Sequence, residues 1–389
     1  MHLLFENTET AFSLKSDAEL ERAYFLFKLI ANEPLVRIGT AVTNFAIKAS
    51  LPVEGLIRAT VFDHFCGGTS ESDCLPIIDK MYQKGVSSVL DYSVEGAEKE
   101  SLFEACFERV CSLLEFVKAK RSIPFAVFKP SGYGRIVLYE KVSQNLPLND
   151  QESQEWDRVV RRFKNTCLKA NELGVMLLID AEESWIQPAV DNLVEQMMAL
   201  YNRDRTLIFN TFQMYRWDRL KYMKNALQKA HQNGYFVGAK LVRGAYLEKE
   251  NERAKFRGYP SPICASKAET DANYNAGVDF CMDHLNRLDL FVGTHNEAST
   301  YYVLQKMSAM NLSNNDPRIW FGQLYGMSDH ISYNLSTMGY QVAKYLPFGP
   351  VKDVMPYLIR RAEENTSVAG QTNRELELIR SERKRRKIN

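Results

Sequence analysis

The sequence lacks any apolar run long enough to cross a membrane. No stretch of its 389 residues approaches the roughly 20 apolar residues that a transmembrane helix requires. The N-terminal residues lack the basic segment and following apolar stretch of a signal peptide, and also the Arg- and Ser-rich, acid-poor composition of a transit peptide. We therefore expect a cytoplasmic protein, either free or peripherally attached at the inner membrane. A mitochondrial location stays open.

The chain also has little net charge and few potential metal ligands. Its 49 Lys and Arg are balanced by 48 Asp and Glu, so we expect no nucleic-acid partner. The 7 cysteines show no C-x-x-C spacing, and no second histidine lies at metal-ligand spacing. This pattern predicts reduced thiols, no disulfide and no bound metal. Only the run Arg380–Lys387 is strongly basic.

What the sequence does contain is an alternation of short apolar or β-branched runs with longer amphipathic stretches after residue 72. This alternation predicts βα units around a parallel sheet, and eight strand candidates match the number in a (βα)8 barrel. A doubly wound sheet would give the same alternation, but neither nucleotide fingerprint of such sheets is present. The candidates are Val86–Tyr92, Phe125–Lys129, Val175–Asp180, Thr206–Phe212, Phe236–Val242, Leu290–Thr294, Ile319–Leu324 and Gln341–Leu346.

The N-terminal part differs from the rest. Apolar residues recur at helical spacing between about Asp17 and His64, and the segment Phe65–Ser72 ends this pattern. We predict an N-terminal helical region, residues 1–70, that packs on a barrel formed by residues 71–389, with a basic tail from about residue 380. Helices before three strands are predicted to end at a glycine, namely Gly85, Gly174 and Gly234.

Polar side chains cluster where the strand candidates end. The carboxyl ends of barrel strands converge on one mouth, where residues distant in sequence meet. A site is therefore predicted at that end of the barrel. The residues are Asp91, Lys129, Asp180, Gln213, Arg243, His295–Asn296, Gln323 and Tyr345.

Three of these strand ends have both a structural and a functional interpretation. Asp180 either caps the next helix or positions a cation as a partly buried anion. Arg243 and Gly244 either form a tight turn with a solvated arginine or let a large planar or phosphorylated ligand approach the backbone. A flavin would need a cation such as Lys240 or Arg243 beside its N1/C2=O edge. In Thr294–Asn296, the imidazole of His295 either serves as a structural hydrogen-bond donor or takes part in the function of the site.

A later helix presents a charged face and an apolar face. The charged face is either a solvated, ion-paired surface or a grip for a small carboxylate, since guanidinium groups bind carboxylates bidentately. Its residues, at i, i+3, i+4 and i+7, are Tyr357, Arg360, Arg361 and Glu364. The apolar stripe, expected to pack against the barrel, consists of Val354, Met355, Leu358 and Ala362.

Taken together and in order, four segments resemble the proline dehydrogenase family: Ile179–Ser184, Lys240–Tyr246, Thr294–Asn296, and Tyr345 with Tyr357–Glu364. The resemblance covers roughly residues 85–365. It implies a distorted (βα)8 barrel with the last helix over the barrel mouth and non-covalent FAD at the strand ends. The implied activity is oxidation of L-proline to Δ1-pyrroline-5-carboxylate, the first step of proline catabolism, by hydride transfer to flavin N5, with electrons passed to a quinone.

The resemblance also implies individual roles. Arg360, Arg361 and Lys129 would hold the proline carboxylate, and Asp180 would orient these cations. Tyr345 and Tyr357 would pack the pyrrolidine ring against the flavin. The positions implied for FAD are Asn210, Lys240, Arg243, Gly244, Ala245, Lys267, Thr270, Thr294, His295, Asn296 and Glu364.

Some features depart from bifunctional members of the family. Those members usually have Gln and Arg where this chain has Asn210 and Lys240. The chain ends at Asn389, with no room for an aldehyde dehydrogenase domain, and no ribbon-helix-helix segment is recognisable at its start. We therefore expect a monofunctional enzyme that is not a repressor.

The expected partners are L-proline, a quinone, the membrane surface and a downstream pyrroline-5-carboxylate dehydrogenase. The run Arg383–Lys387 would either touch anionic lipid or form a flexible, solubilising tail. One alternative function is a hydroxyproline dehydrogenase on the same scaffold. Tyr345 argues against it, since a packed aromatic ring leaves a 4-hydroxyl little room. The other alternative is a non-catalytic barrel that binds an amino acid or DNA as a regulator.

Overall fold

The computed structural model describes residues 4–32, 34, 54–92, 98–367 and 369–388, and only the backbone of residues 54, 56, 59, 362–367 and 369–371. Eight parallel strands form a closed barrel in the order β1 to β8. They are β1 (Val86–Tyr92), β2 (Phe125–Phe128), β3 (Met176–Ile179), β4 (Ile208–Gln213), β5 (Val237–Val242), β6 (Leu288–Gly293), β7 (Ile319–Leu324) and β8 (Val342–Phe348). The predicted (βα)8 fold is confirmed, and every predicted strand is present with ends that differ by at most two residues.

Helices precede and separate the strands. The helices before the barrel are α1 (Thr8–Ala11), α2 (Asp17–Ile30), α3 (Glu54–Ile57), α4 (Asp63–Phe65) and α5 (Glu71–Tyr82), which confirms the N-terminal helical region. Between the strands lie α6 (Glu100–Val117), α7 (Ile136–Ser143), α8 (Asp150–Leu173), α9 (Gln187–Tyr201), α10 (Arg219–Asn233), α11 (Leu247–Arg257), α12 (Lys267–Asp283), α13 (Glu297–Ala309) and α14 (Asp329–Thr337). After β8 come α15 (Val351–Ser367) and α16 (Ala369–Arg386).

Two of the three predicted glycine caps are present as expected. Gly174 and Gly234 follow α8 and α10 with φ of 68° and 70°, the left-handed conformation that a helix end favours and glycine adopts without strain. Gly85 also has a positive φ, but it lies beyond the end of α5, in the turn that leads into β1. In the described part of the chain, no helix is long and apolar enough to span a bilayer.

The residues group into two compact units. The first comprises the described parts of Met1–Val94, His295–Tyr301 and Phe321–Asn389, and the second comprises those of Glu95–Thr294 and Tyr302–Trp320. The aromatic core of the second unit contains Phe125, Phe209 and Phe291 from β2, β4 and β6. The ring of Phe125 lies 5.9 Å from that of Phe209 and 5.3 Å from that of Phe291. Side chains contributed by alternate strands are the layered packing of a (βα)8 barrel.

In the first unit, the apolar stripe of α15 is buried against Leu324 of barrel strand β7 and against the N-terminal helices. Val354, Met355 and Leu358 pack in one cluster with Leu26 and Ile30 of α2, and this cluster also contains Tyr357. The side chain of Ala362 lies outside the described residues. The N-terminal helical region therefore supplies part of the surface on which α15 rests.

The basic run near the C-terminus is part of α16 and is ion-paired with the N-terminal helices. Arg383 binds Glu21, and Arg386 binds Asp17 at 3.0 Å and Glu382 at 2.7 Å. Although burial opposes it, hydrogen bonds from Arg385 and Arg386 lower the pKa of Glu382. The interpretation as a flexible tail is therefore wrong, and contact with anionic lipid stays a prediction.

Candidate active site

A cluster of two lysines and one aspartate lies at the strand ends of the second unit. Phe128 and Ile179 are paired in register, so Lys129 and Asp180, the next residues, leave β2 and β3 at the same level. Asp180 accepts a hydrogen bond from Lys240 Nζ of β5 at 2.5 Å, and Lys129 Nζ lies 3.7 Å from its other oxygen. All three side chains are at most 16% exposed.

This geometry decides between the two interpretations of Asp180. Helix α9 begins at Gln187, after Ile186, which forms no side-chain cap, and the first-turn N–H of Ala189 donates to Ser143 Oγ at 3.1 Å. The helix-cap interpretation is therefore wrong, and Asp180 instead holds two cations. A carboxylate that pairs with both lysines fixes long, flexible side chains in one place, which is what recognition of a small anion requires.

For the activity that the family resemblance implies, replacement of Asp180 by Ala is expected to weaken binding of proline and of carboxylate inhibitors together, because Lys129 and Lys240 lose their common anchor. FAD content should persist. The effect is measured as KM for proline and as the inhibition constant of a ring carboxylate, with Asp204→Ala, an exposed aspartate of the same unit, as the control. Loss of all soluble protein would show that Asp180 serves the fold instead of the ligand.

A second group of polar side chains surrounds Arg243 at the end of β5. Its guanidinium donates to Asp271 at 2.8 and 2.6 Å and to Thr294 Oγ1 at 2.8 Å, and it lies 4.5 Å from the ring centre of Tyr274. Lys267 binds the second oxygen of Asp271 at 2.5 Å. Burial alone would raise the pKa of Asp271, but these two cations lower it. The interpretation of Arg243 as a solvated arginine is therefore wrong.

The glycine after Arg243 has a structural requirement of its own. Gly244 has φ of 138°, and a Cβ atom there would lie 2.3 Å from the ring of Tyr215. Any larger residue would therefore displace this ring. The neighbouring Ala245 is partly exposed, as is Thr270 on α12.

The strand register separates Asn210 from Lys240. Asn210 pairs with Ala239, whereas Lys240 pairs with Thr211, so Asn210 and Lys240 point to opposite faces of the sheet. Asn210 is 1% exposed, and its amide donates to Asp191 of α9 at 2.9 Å. The role of Asn210 at a flavin stays a prediction. Gln213 is the β4 amide on the same face as Lys240, and it donates to the backbone oxygen of Glu182 at 2.6 Å.

Two predicted site residues of the first unit have structural contacts. His295 Nδ1 lies 2.9 Å from Ser328 Oγ, which fits the structural-donor interpretation. Asn296 Oδ1 accepts a hydrogen bond from the Ser299 N–H at 2.9 Å and so caps the start of α13. Ser328 is fully buried and has φ of 52°, an uncommon conformation for a residue other than glycine, and its N–H donates to Glu375 of α16 at 2.5 Å.

The remaining predicted residues of the first unit lie on β8 and α15. Tyr345 and Tyr357 are buried, with 8% and 5% of their surfaces exposed. The guanidinium of Arg361 lies 5.3 Å from the ring centre of Tyr357, and both Arg360 and Arg361 are partly exposed. Tyr345 lies inside β8 and not at its end. The side chain of Glu364 lies outside the described residues.

The structure thus brings the predicted residues together in three sets: Lys129 with Asp180 and Lys240, Arg243 with Lys267 and Thr294, and Tyr357 with Arg361. Sequence analysis missed Asp271, which joins Arg243 to Lys267 in the second set. The spacing of Lys267 and Asp271, four residues apart on a helix, is the signal that would have indicated it.

A closed (βα)8 barrel with cationic clusters at the carboxyl ends of its strands is the architecture of an enzyme whose site lies at that end. The proline dehydrogenase family model matches residues 74–374. The chain therefore belongs to the proline dehydrogenase family and is an oxidoreductase of that family.

The chain is similar to several curated proteins. It is 37% identical to the carbapenem antibiotics biosynthesis protein CarD of Pectobacterium carotovorum subsp. carotovorum over 365 residues, 93% of this chain and 94% of CarD. It is 40% identical to the mitochondrial proline dehydrogenase 1 of Homo sapiens over 233 residues, 59% of this chain and only 39% of the human protein.

The fold is also similar to solved structures. Proline utilization A of Bdellovibrio bacteriovorus, inactivated by N-propargylglycine, matches 94% of this chain with a TM-score of 0.71. The match is 19% identical and covers 37% of that chain. At this level of identity it supports the barrel fold.

Proposed function

We propose that the protein catalyses FAD-dependent oxidation of L-proline to Δ1-pyrroline-5-carboxylate and passes the electrons to a quinone, as the first step of proline catabolism. The observation that carries the proposal is the buried cluster in which Asp180 holds Lys240 and Lys129 at the strand ends. Membership of the proline dehydrogenase family supports the choice of proline as the substrate.

The second unit offers a suitable set of side chains for FAD. The two ion-paired groups at its strand ends contain four cations, Lys129, Lys240, Arg243 and Lys267, and two carboxylates, Asp180 and Asp271. An excess of cations suits an anionic dinucleotide and a flavin that becomes negative on reduction. The proposed contacts in this unit are Lys240, Arg243, Gly244, Ala245, Lys267, Thr270 and Thr294, with Asn210, His295, Asn296 and Glu364 retained as predictions from the family resemblance.

The chemistry that bound FAD would supply is acceptance of a hydride from C5 of proline. The amine loses its proton to solvent, and its nitrogen forms the double bond to C5. The protein then has mainly to bind and orient the substrate. Correct orientation removes a large part of the activation barrier to such a reaction. By the family resemblance, Arg360, Arg361 and Lys129 would hold the carboxylate, and Tyr345 and Tyr357 would contact the pyrrolidine ring.

The test is an absorbance spectrum of the purified protein, followed by anaerobic addition of L-proline and then of a quinone. We expect a flavin spectrum that proline bleaches and quinone restores, with the cyclic imine product trapped by an aromatic amino-aldehyde. A protein that binds proline in calorimetry but carries no flavin would instead be a non-catalytic amino-acid-binding barrel.

Tyr345 determines the expected preference for L-proline over trans-4-hydroxy-L-proline. By the family resemblance, this buried ring would crowd the pyrrolidine edge that carries a 4-hydroxyl, so we expect kcat/KM for proline to be higher by about tenfold or more. Tyr345→Ser should narrow this preference, chiefly through lost activity on proline, whereas Tyr340→Phe, at a nearby buried tyrosine, should not. Equal kcat/KM values in the unchanged enzyme would move the function to hydroxyproline oxidation.

The similarity to CarD over nearly its whole length favours a second candidate role, in which the same ring oxidation serves the assembly of a carbapenem. Disruption of the gene separates the two roles. Loss of growth on proline indicates catabolism, whereas loss of a β-lactam product with normal growth on proline indicates biosynthesis.

A further inference from the structure

The segment that follows Asp180 is bound to the neighbouring loops of the second unit on several sides. Glu183 forms an ion pair with Lys249 of α11, and Ser184 donates from its N–H and its hydroxyl to Glu250, each at 2.6 Å. Gln213 at the end of β4 donates to the backbone oxygen of Glu182. The loop after β3 is therefore tied to the end of β4 and to the helix that follows β5.

On the remaining side, the same loop holds the turn after β2. Glu182 is 6% exposed, and its two carboxylate oxygens accept hydrogen bonds from Ser131, one from the N–H at 2.8 Å and one from the hydroxyl at 2.6 Å. Ser131 is the middle residue of the short 3-10 turn Pro130–Gly132, which begins directly after Lys129. From the other side, the buried Tyr139 donates to the oxygen of Pro130 at 2.8 Å.

We infer that Glu182 is a positioning residue for substrate recognition, because its carboxylate fixes the turn Pro130–Gly132 and thereby the Lys129 ammonium beside Asp180. The 3.7 Å separation of Lys129 from Asp180 is longer than the 2.5 Å separation of Lys240, so the ion pair by itself holds Lys129 less firmly. A lysine has four rotatable side-chain bonds, and the position of its head group depends on a fixed backbone.

This inference deepens the proposed function and rests on it, since it takes Lys129 as a contact of the substrate carboxylate. It adds that the acidic segment after β3 acts in two ways. Asp180 pairs with the lysine head groups, and Glu182 fixes the backbone from which one of those lysines extends. Both actions would come from residues two positions apart on one loop.

Three variants weaken the contact between Glu182 and Ser131 to increasing degrees. Ser131→Ala removes one hydrogen bond, Glu182→Gln replaces one acceptor by a donor, and Glu182→Ala removes both bonds. Glu183→Gln, which alters only the tie to α11, is the matched control on the same loop. We expect KM for proline to rise in this order, reaching roughly tenfold to a hundredfold in Glu182→Ala, since a misplacement of about 1 Å can cost the larger factor.

Two further measurements separate positioning from a general loss of structure. In Glu182→Ala, kcat/KM should fall less for pyrrolidine, which has no carboxylate, than for proline. The flavin content of this variant should not change. In a double-mutant cycle, Glu182→Ala should add little to the effect of Lys129→Met, because both act through the same ammonium group.

The inference is overturned if the effects of Glu182→Ala and Lys129→Met add fully, or if pyrrolidine and proline are affected equally. If Glu182→Ala does not fold, the same cycle is measured with Glu182→Gln and Ser131→Ala. Failure of the unchanged protein to bind flavin or oxidise proline would instead reject the proposed function, so the two failures are distinguishable.

Discussion

Replacement of Arg360 or Arg361 by methionine is expected to raise KM for proline strongly. Two adjacent guanidinium groups suit a carboxylate, and truncation of one partner of a desolvated charge pair costs about 2–5 kcal/mol. Methionine keeps much of the apolar stem, so the packing of α15 should persist. The measurement is KM for proline together with the flavin content of each variant.

The two arginines should differ in their secondary effects. Arg361 also lies over the ring of Tyr357, so its loss removes a cation–π contact, and flavin content should be best preserved in Arg360→Met. Arg374→Met is the matched control, because Arg374 binds Glu297 and Glu6. It should change stability and leave KM unaltered. A near-normal KM in both Arg360→Met and Arg361→Met would show that the carboxylate is held elsewhere.

The second large effect is expected at the buried ion pair of Lys344 and Asp329 in the first unit. Lys344 Nζ lies 2.7 Å from Asp329, and Lys344 is fully buried. Lys15 binds the other oxygen of Asp329 at 3.2 Å. Lys344→Met should lower the free energy of unfolding by about 3–5 kcal/mol, because it leaves a buried carboxylate with one cation fewer.

A surface pair with the same separation provides the control. Lys306 Nζ lies 2.7 Å from Asp279, but these side chains are 34% and 39% exposed. Lys306→Met should therefore have a much smaller effect on urea denaturation of the flavin-loaded protein. An equal loss in both variants would contradict the argument that burial determines the cost.

Acid should weaken the fold through the same group. Burial alone would raise the pKa of Asp329, but Lys344 and Lys15 hold it well below its usual range. A carboxyl whose pKa is lower in the folded than in the unfolded chain stabilises the fold above the unfolded pKa of about 3.9, and this contribution is lost as the pH falls. The acid-induced loss of unfolding free energy should be smaller in Lys344→Met, because the pKa of Asp329 is lowered less when only Lys15 remains beside it.

The barrel could be predicted from the sequence because its signals are local. Each strand is a short apolar run, and Gly174 and Gly234 end their helices where the chain needs a left-handed residue. The strand ends that carry Asp180 and Arg243 were identified for the same reason. These features depend on residues that are close together along the chain, so one sequence is sufficient to reveal them.

Other features were decided only by the tertiary structure, because they depend on residues far apart in the sequence. The register between β4 and β5 places Asn210 and Lys240 on opposite faces, although both lie on strands predicted correctly. The charge of Arg383 is evident from the sequence, but its partner Glu21 is 362 residues away. The contact between Glu182 and Ser131 likewise joins two loops that the pairing of β2 with β3 brings together, since no local pattern encodes which donor a carboxylate meets.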